Sequence, residues 1–249
     1  MISIIINIIL LCVVGVLTFC ICSVVFDISQ YKQARAVYDE VRGRAVSTSD
    51  EGSTLNFFES DRLVDFSVLE TINPGICSWI YVPGTNIDYP VVQANDNDYY
   101  LYRDVHGTSS AGGSIFMDYA CSADLTDRKT IIYGHNMKDG SMFHDLHKMR
   151  QDLNFAEKHT WLYIYMDNDY MMQYELLCTK STTYRDEYIY GEPEGSAGEL
   201  AKMIVSEADH VYNDVTGENL LVLSTCIKGD KRFVAVYQAT PVLIESISE

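Results

Sequence analysis

The feature that most constrains this chain is an uncharged apolar segment at its N-terminus. Residues 2–26 contain no Asp, Glu, Lys or Arg and consist mainly of Ile, Leu, Val and Cys. A helix of this length can cross a hydrocarbon core of about 30 Å. A cleaved signal peptide would have a basic start and a small-residue cleavage site, and neither is clear here. We therefore predict an uncleaved transmembrane anchor at residues 1–26.

The next segment has the pattern of a helical stalk followed by a further helix. Residues 27–46 mix charges with Ala, Val and Tyr, which suits a helix continuing out of the membrane, and the polar residues 47–53 suit a break. Apolar residues then recur at helical spacing at Leu63, Phe66, Leu69 and Ile72, and Asn73-Pro74-Gly75 ends the pattern. We assign residues 27–72 to these two helices and expect the apolar stripe to pack against the body.

After residue 75 the pattern becomes that of β-strands. The predicted strands are residues 78–82, 87–93, 114–118, 130–133, 161–166, 170–178, 221–226 and 232–237. Two short helices are predicted at residues 142–149 and 196–209. Many short antiparallel strands with few helices favour a closed or nearly closed β-barrel, which removes exposed sheet edges. The predicted fold class is therefore mainly β, with residues 73–249 as one domain.

The last two strands form a hairpin that holds a thiol beside a cation. The first ends at Cys226 and the second begins at Arg232, after a five-residue connection that contains a glycine. Directly opposed residues in an antiparallel pair project to the same side with Cβ atoms about 5 Å apart. A guanidinium beside a thiol favours a reactive thiolate. The alternative is that Cys226 is a small buried hydrophobe and Arg232 an ordinary edge-strand charge.

A second apolar strand, residues 130–133, leads through a glycine to His135. A cysteine and a histidine far apart in sequence are typical of nucleophilic thiol catalysis, since the fold brings the pair together. Alternation places Tyr133 with His135 on one face of their strand, and Ser224 with Cys226 on one face of theirs. We expect Tyr133 and Ser224 to lie just below the reacting pair and to line a substrate pocket. The alternative is that both are ordinary polar wall residues.

Four ordered segments carry a family resemblance. They are NIDYPVVQ at residues 86–93, GSIFMD at 113–118, YGHNM at 133–137 and LSTC at 223–226. Together they resemble class B sortases, the membrane-anchored cysteine transpeptidases of Gram-positive bacteria, over residues 73–237. The resemblance implies an eight-stranded sortase barrel, an extra N-terminal helix and a helix in the connection before the cysteine-bearing strand.

The resemblance also implies site residues. The family's catalytic Cys, His and Arg fall on Cys226, His135 and Arg232, although the interval from Cys226 to Arg232 is shorter than is usual in class B. Asn97 resembles an asparagine that the family places in its substrate groove. The predicted substrate-binding residues are Tyr133, Ser224, Asn97 and Thr225.

The implied reaction is cleavage after a Thr in the C-terminal sorting signal of secreted proteins. The acyl group passes through a thioacyl-enzyme to a peptidoglycan precursor amine, or to a pilin lysine. Two other classes remain open: a cysteine peptidase that releases a free acid, and a non-catalytic membrane-tethered binding protein.

Composition and spacing argue against other partners. The net charge of −17 makes nucleic acid an unsuitable partner, because phosphate binding needs clustered Lys and Arg. His144 and His147 lack further spaced ligands for zinc, so we expect a solvated helix face there. The scattered acids Asp124, Asp127, Asp167 and Asp169 lack the ligand spacing of a calcium loop. We therefore predict no required cofactor.

The orientation of the anchor receives conflicting signals. Lys and Arg follow the apolar segment and none precedes it, which by the positive-inside rule places the body in the cytoplasm. The sortase resemblance implies an extracellular body, since the implied substrates lie outside. We follow the resemblance and predict a single-pass N-terminal anchor with the catalytic domain on the extracellular face.

Overall fold

The computed structural model describes residues 2–48, 62–167 and 170–240. Its helices are α1 (Ile2–Ala45), α2 (Phe66–Ile72), α3 (His144–Gln151), α4 (Leu153–Lys158), α5 (Glu187–Tyr190) and α6 (Ala197–Ser206). Its strands are β1 (Val46–Thr48), β2 (Arg62–Val64), β3 (Ile76–Tyr81), β4 (Asp88–Val92), β5 (Ile115–Met117), β6 (Lys129–Tyr133), β7 (Trp161–Met166), β8 (Tyr170–Thr183), β9 (His210–Val211), β10 (Leu220–Lys228) and β11 (Lys231–Ala239). Residues 49–53 of the predicted break, Asp169 and residues 241–249 lie outside the described residues.

Eight strands close into a barrel. Their order around the ring is β11-β10-β6-β5-β4-β3-β7-β8, and β8 pairs with β11 to complete it. The short strand β9 pairs with β8 beyond the end of β7, while β1 and β2 form a separate two-stranded sheet. The predicted mainly-β barrel is confirmed.

Strand β10 is buried on both faces, which explains its continuous apolar sequence. Leu221 and Leu223 belong to the main core inside the barrel, whereas Val222 packs outside it in a second cluster. Helix α6 covers that outer face with Ile204, which is fully buried. The side chains that follow on β10 therefore alternate between the barrel interior and the side on which α6 lies.

Helix α1 joins the apolar N-terminal segment to the barrel without a break. Among the described residues it is the one helix long and apolar enough to cross a membrane. Its last turns pack on the barrel through Tyr38, Val41 and Ala45, all at most 3% exposed. Arg42 adds an ion pair with Asp88 of β4 at 2.8 Å. The predicted stalk is therefore helical, and its last turns are bound to the barrel.

Several predicted boundaries need correction. Leu63 lies in β2, and α2 begins at Phe66 because the Asp65 side chain accepts a hydrogen bond from the Val68 N–H and caps the helix. The described part of the chain holds two further short helices in the body, α4 and α5. Strand β8 continues past the predicted end at residue 178 because its later residues pair with β11.

The hairpin between β10 and β11 is also tighter than predicted. Lys228 pairs with Lys231, so the connection is a two-residue turn, Gly229-Asp230, and the predicted five-residue connection is wrong. Gly229 has a φ of 60°, which costs a glycine little. A bulge between Cys226 and Lys228 takes up the extra residue.

Candidate active site

Cys226 lies near the end of β10, beside the start of β11 and next to the end of β6. It pairs directly with Arg232 of β11, as predicted. On its other side β10 runs parallel to β6, with Ser224 opposite Tyr133 and the Gly134 N–H donating to the Ser224 carbonyl oxygen at 3.1 Å. The parallel pairing therefore sets the end of β6, which leads through Gly134 to His135, beside the part of β10 that leads to Cys226. The approach of His135 to Cys226 stays a prediction.

Close packing fixes the backbone at His135. A Cβ on the preceding Gly134 would lie 2.5 Å from Ile115 Cδ1 and 2.7 Å from the Phe143 ring, so a larger residue would force these side chains to move. The Phe143 N–H donates to the His135 carbonyl oxygen at 2.9 Å. This explains why a glycine stands between the strand and the histidine.

The His135 side chain is held by the loop that follows β4. Its Nε2 lies 2.7 Å from the carbonyl oxygen of Leu101. The ring of Tyr102 lies against the imidazole with 5.6 Å between centroids. Neither contact was predicted from the sequence. A backbone carbonyl can belong to any residue type, so no sequence motif marks the Leu101 acceptor.

Arg232 is partly buried, and the hairpin turn restrains its guanidinium. Its Nη1 donates to the carbonyl oxygens of Gly229 at 2.8 Å and Lys231 at 3.1 Å. The Nε and Nη2 groups have no acceptor among the described residues. A guanidinium has five N–H donors, so the turn can orient this side chain and still leave donors for a ligand.

Tyr133 and Asn97 meet through a third residue, Asp118. The Tyr133 hydroxyl donates to Asp118 Oδ2 at 2.8 Å, and the Asn97 amide donates to the same oxygen at 3.0 Å. Asn97 Oδ1 in turn accepts from the Tyr119 N–H at 3.0 Å. Burial, reinforced by the Asp118 charge, raises the pKa of Tyr133, so this phenol stays a hydrogen-bond donor. The structure thus joins both predicted residues through Asp118. The sequence analysis did not identify Asp118 as a site residue.

Ser224 bonds to Tyr190 of the short helix α5, with 2.7 Å between the hydroxyl oxygens. Tyr190 also stacks on Tyr133 at 6.4 Å between centroids and 9° between planes. Burial raises the pKa of Tyr190 to about 12, while the Arg232 charge acts to lower it. Tyr190 therefore joins Ser224 of β10 to Tyr133 of β6, and no sequence motif marked it.

Thr225 occupies the other face of β10. Its neighbours on that face, Leu221 and Leu223, belong to the core inside the barrel, and Thr225 itself is 1% exposed. Its Oγ1 has no hydrogen-bond partner among the described residues. The geometry brings Ser224 and Cys226 together and directs the Thr225 side chain away from them, so its substrate role stays a prediction.

Helix α3 is not the solvated face that was predicted at residues 144–147. Asp145 is 1% exposed and His147 is 8% exposed. The His147 Nε2 lies 3.1 Å from the carbonyl oxygen of Cys226, and Asp145 Oδ2 accepts from the Asn86 N–H at 2.7 Å. The prediction is wrong because both polar side chains find buried backbone partners. His147 thus holds the backbone of the strand that carries Cys226.

A sortase-domain family model matches residues 80–240, a range that contains Cys226, His135 and Arg232. The chain belongs to the sortase family. Among curated proteins it is 34% identical to sortase B of Listeria monocytogenes over 221 residues, covering 87% of each chain. It is 33% identical to sortase B of Staphylococcus aureus over 168 residues, covering 65% of this chain and 67% of the relative.

Solved structures of class B sortases have the same fold. Sortase B of Bacillus anthracis, in complex with AAEK1, superposes with a TM-score of 0.70 at 32% identity, covering 85% of this chain and 98% of that one. A Streptococcus pyogenes class B sortase involved in pilus biogenesis gives a TM-score of 0.64 at 27% identity, covering 70% and 97%. This sortase therefore belongs to class B, and its relatives are cysteine transpeptidases.

Proposed function

We propose that this sortase cleaves a C-terminal sorting signal after a Thr and transfers the acyl group to an amine, using Cys226, His135 and Arg232. The observation that carries the proposal is the alignment of the strand ends. Parallel pairing sets the end of β6, which leads to His135, beside β10, and antiparallel pairing sets Arg232 of β11 opposite Cys226, which supports a shared site. The proposal combines a nucleophile, an acid–base group and an oxyanion donor in one site.

In the first half of the reaction the Cys226 thiolate attacks the carbonyl carbon of the Thr. The C=O π electrons move to the oxygen, and the Nε and Nη2 groups of Arg232 donate hydrogen bonds to that oxyanion. The oxyanion then collapses, the C–N bond breaks and protonated His135 gives its proton to the leaving amine. The product is a thioester between Cys226 and the new C-terminus.

In the second half an incoming amine attacks the thioester carbon. His135 takes a proton from that amine and the Cys226 thiolate leaves, which restores the starting enzyme and forms an amide. Tyr133 and Tyr190 are half-buried, and Asn97 is joined to Tyr133 through Asp118. Ser224 is 1% exposed, so it acts through its hydrogen bond to Tyr190. We assign these residues to binding of the sorting signal.

The acceptor and the location follow from the same proposal. The acceptor is a peptidoglycan precursor amine, or a pilin lysine as suits a pilus-building enzyme such as the Streptococcus pyogenes neighbour. Helix α1 holds the body at the cell membrane, with the catalytic domain on the extracellular face where secreted substrates arrive. The clients are secreted proteins with a C-terminal sorting signal.

The test is product analysis with peptides of the Asn-Pro-x-Thr-x and Leu-Pro-x-Thr-x types. Each peptide is incubated with the enzyme and with either an oligoglycine or a diaminopimelate-type amine. We expect a product in which the amine is joined to the Thr carboxyl group. Free acid alone, with every amine, would make the protein a cysteine peptidase. No cleavage and no selective labelling of Cys226 by a thiol probe would favour a binding protein.

A further inference from the structure

The contact between His135 and Leu101 decides which ring nitrogen takes part in proton transfer. A carbonyl oxygen only accepts, so the Nε2 that lies 2.7 Å from it carries a hydrogen. Nδ1 is then the nitrogen that can lose and regain a proton during the reaction. The position of the Leu101 carbonyl therefore selects the tautomer and the direction of the imidazole.

Gly113 gives this carbonyl its position. Gly113 has a φ of +56°, and a Cβ on it would lie 2.4 Å from the Leu101 carbonyl oxygen and 3.0 Å from its carbon. Backbone atoms cannot yield as a side chain does, so any larger residue would push the Leu101 carbonyl away. The neighbouring Gly112 differs, because its Cβ would meet only ordinary contacts at 3.7 Å, to Ala34 and Met137 side chains.

The stalk helix α1 holds Gly113 in place. The hydroxyl of Tyr38 donates to the Gly113 carbonyl oxygen at 2.7 Å and lies 3.1 Å from Ser114 Oγ. Ser114 Oγ donates onward to the Arg103 carbonyl oxygen at 2.8 Å, two residues after Leu101. Tyr38 is 2% exposed, so its hydroxyl has been removed from water and needs these partners.

We propose that Tyr38 and Gly113 are positioning residues for His135. Tyr38 fixes Gly113, Gly113 leaves room for the Leu101 carbonyl, and that carbonyl holds the imidazole with Nδ1 free for the reaction. The inference rests on the proposed catalytic role of His135. It makes the membrane-proximal helix part of the catalytic apparatus as well as a tether.

The test compares Tyr38→Phe and Gly113→Ala in the full chain in detergent micelles. The chain is labelled with 15N-histidine, and the His135 Nε2–H signal is assigned by its loss in His135→Asn. We expect both variants to shift this signal. We expect kcat for peptide cleavage to fall about tenfold in Tyr38→Phe and up to about 10²-fold in Gly113→Ala. KM stays within about twofold, because no substrate contact is removed.

Two variants serve as matched controls. Gly112→Ala makes the same change one residue earlier, and Tyr174→Phe removes a buried hydroxyl that contacts the Met172 sulfur on β8. Both should keep the parent His135 signal and kcat. If Gly113→Ala fails to fold by circular dichroism, Tyr38→Phe decides alone.

An unchanged His135 signal in the folded variants would overturn the proposal, even if kcat fell. The signal can be measured without any substrate. Failure of the proposed peptide reaction in the parent chain would therefore leave this test of positioning intact.

Discussion

At the residue scale, Arg232 is the site residue whose proposed role depends most on the geometry of its side chain. The hairpin turn holds Nη1 through two backbone carbonyls, so the remaining N–H donors extend from a fixed guanidinium plane. Arg232→Lys keeps the charge and loses this fork. We expect turnover to fall by about 10²–10³, or roughly 3–4 kcal/mol of transition-state stabilisation, with at least as large a loss in Arg232→Ala. The measurement is kcat/KM on one peptide.

The controls for Arg232 lie beside it. Lys228 and Lys231 are exposed and pair across the turn, so their Ala variants remove positive charge without touching the guanidinium contacts, which use backbone carbonyls. Both should stay within a few-fold of the parent. A small thiol reagent should still modify Cys226 in the Arg232 variants. Equal kcat/KM in Arg232→Lys and the parent would show that charge alone is enough.

His147 gives a second prediction at this scale. Replacing it with Phe keeps a buried ring and removes the donor to the Cys226 carbonyl oxygen. Loss of one hydrogen bond costs about 0.5–1.5 kcal/mol, so the urea midpoint should fall by the corresponding amount and kcat should fall with it. His210→Phe, at an exposed position on β9, is the control. A parent-like midpoint together with parent-like kcat in His147→Phe would contradict a supporting role.

At the element scale, a buried ion cluster holds helix α5, which carries Tyr190. Lys180 of β8 lies 2.6 Å from Asp186 and 2.7 Å from Glu207, and the Lys180 and Asp186 side chains are each 7% exposed. Asp186 also caps α5 by accepting from the Tyr188 and Ile189 N–H groups. Burial acts to raise the pKa of Asp186, but the hydrogen bonds from Lys180 and Thr182 outweigh it and leave the pKa below its usual value.

The lowered pKa of Asp186 predicts that the contacts holding helix α5 weaken in acid. A carboxyl group with a lowered pKa in the folded state stabilises fully above its unfolded pKa of about 4, and the contribution is lost as pH falls through the folded value. Asp186→Asn should lower the free energy of unfolding by about 1.5–3 kcal/mol at neutral pH, because Lys180 keeps its ion pair with Glu207. The difference from the parent should shrink below a pH of about 4, measured by urea unfolding. A difference that stays constant across this range would contradict the assignment.

The elements also show how far the sequence could predict this fold. Strand β7 has its predicted bounds because an apolar run ends at a turn, and that signal is local. The C-terminal end of β8 and the burial of His147 depend on partners from distant segments, β11 and Cys226, which no local pattern records. Leu63 was wrongly assigned to a helix because it stands three residues before Phe66. That spacing also occurs by chance when one residue lies in a strand and the other in a helix.

The candidate site was predictable to a similar degree. Cys226, His135 and Arg232 could be proposed from the sequence because each stands at or next to a predicted strand end, and the first two also lie within a motif. Tyr190, Asp118 and the Leu101 carbonyl were missed because their roles come only from tertiary contacts. A four-residue helix such as α5 carries too little periodicity to be recognised, and a backbone acceptor carries no residue-type signal.

At the scale of the whole molecule, the structure divides α1 into two parts with different predicted roles. Removing residues 1–26 takes away the apolar segment and leaves Tyr38 in place, so the remaining chain should fold and cleave peptide. Removing residues 1–45 also takes away Tyr38, Val41 and Ala45, all buried against the barrel. We expect that longer deletion to lower both stability and kcat. A folded but inactive chain after the shorter deletion would contradict an anchor-only role for residues 1–26.

The central claim is that Cys226 forms a thioacyl-enzyme with the sorting signal. The most direct measurement is mass spectrometry of the full chain after incubation with a cleaved peptide and no amine. We predict an added mass equal to the peptide up to and including its Thr, located on Cys226, lost when an amine is added, and absent in Cys226→Ala. An adduct on another cysteine, or one that persists in Cys226→Ala, would contradict the account.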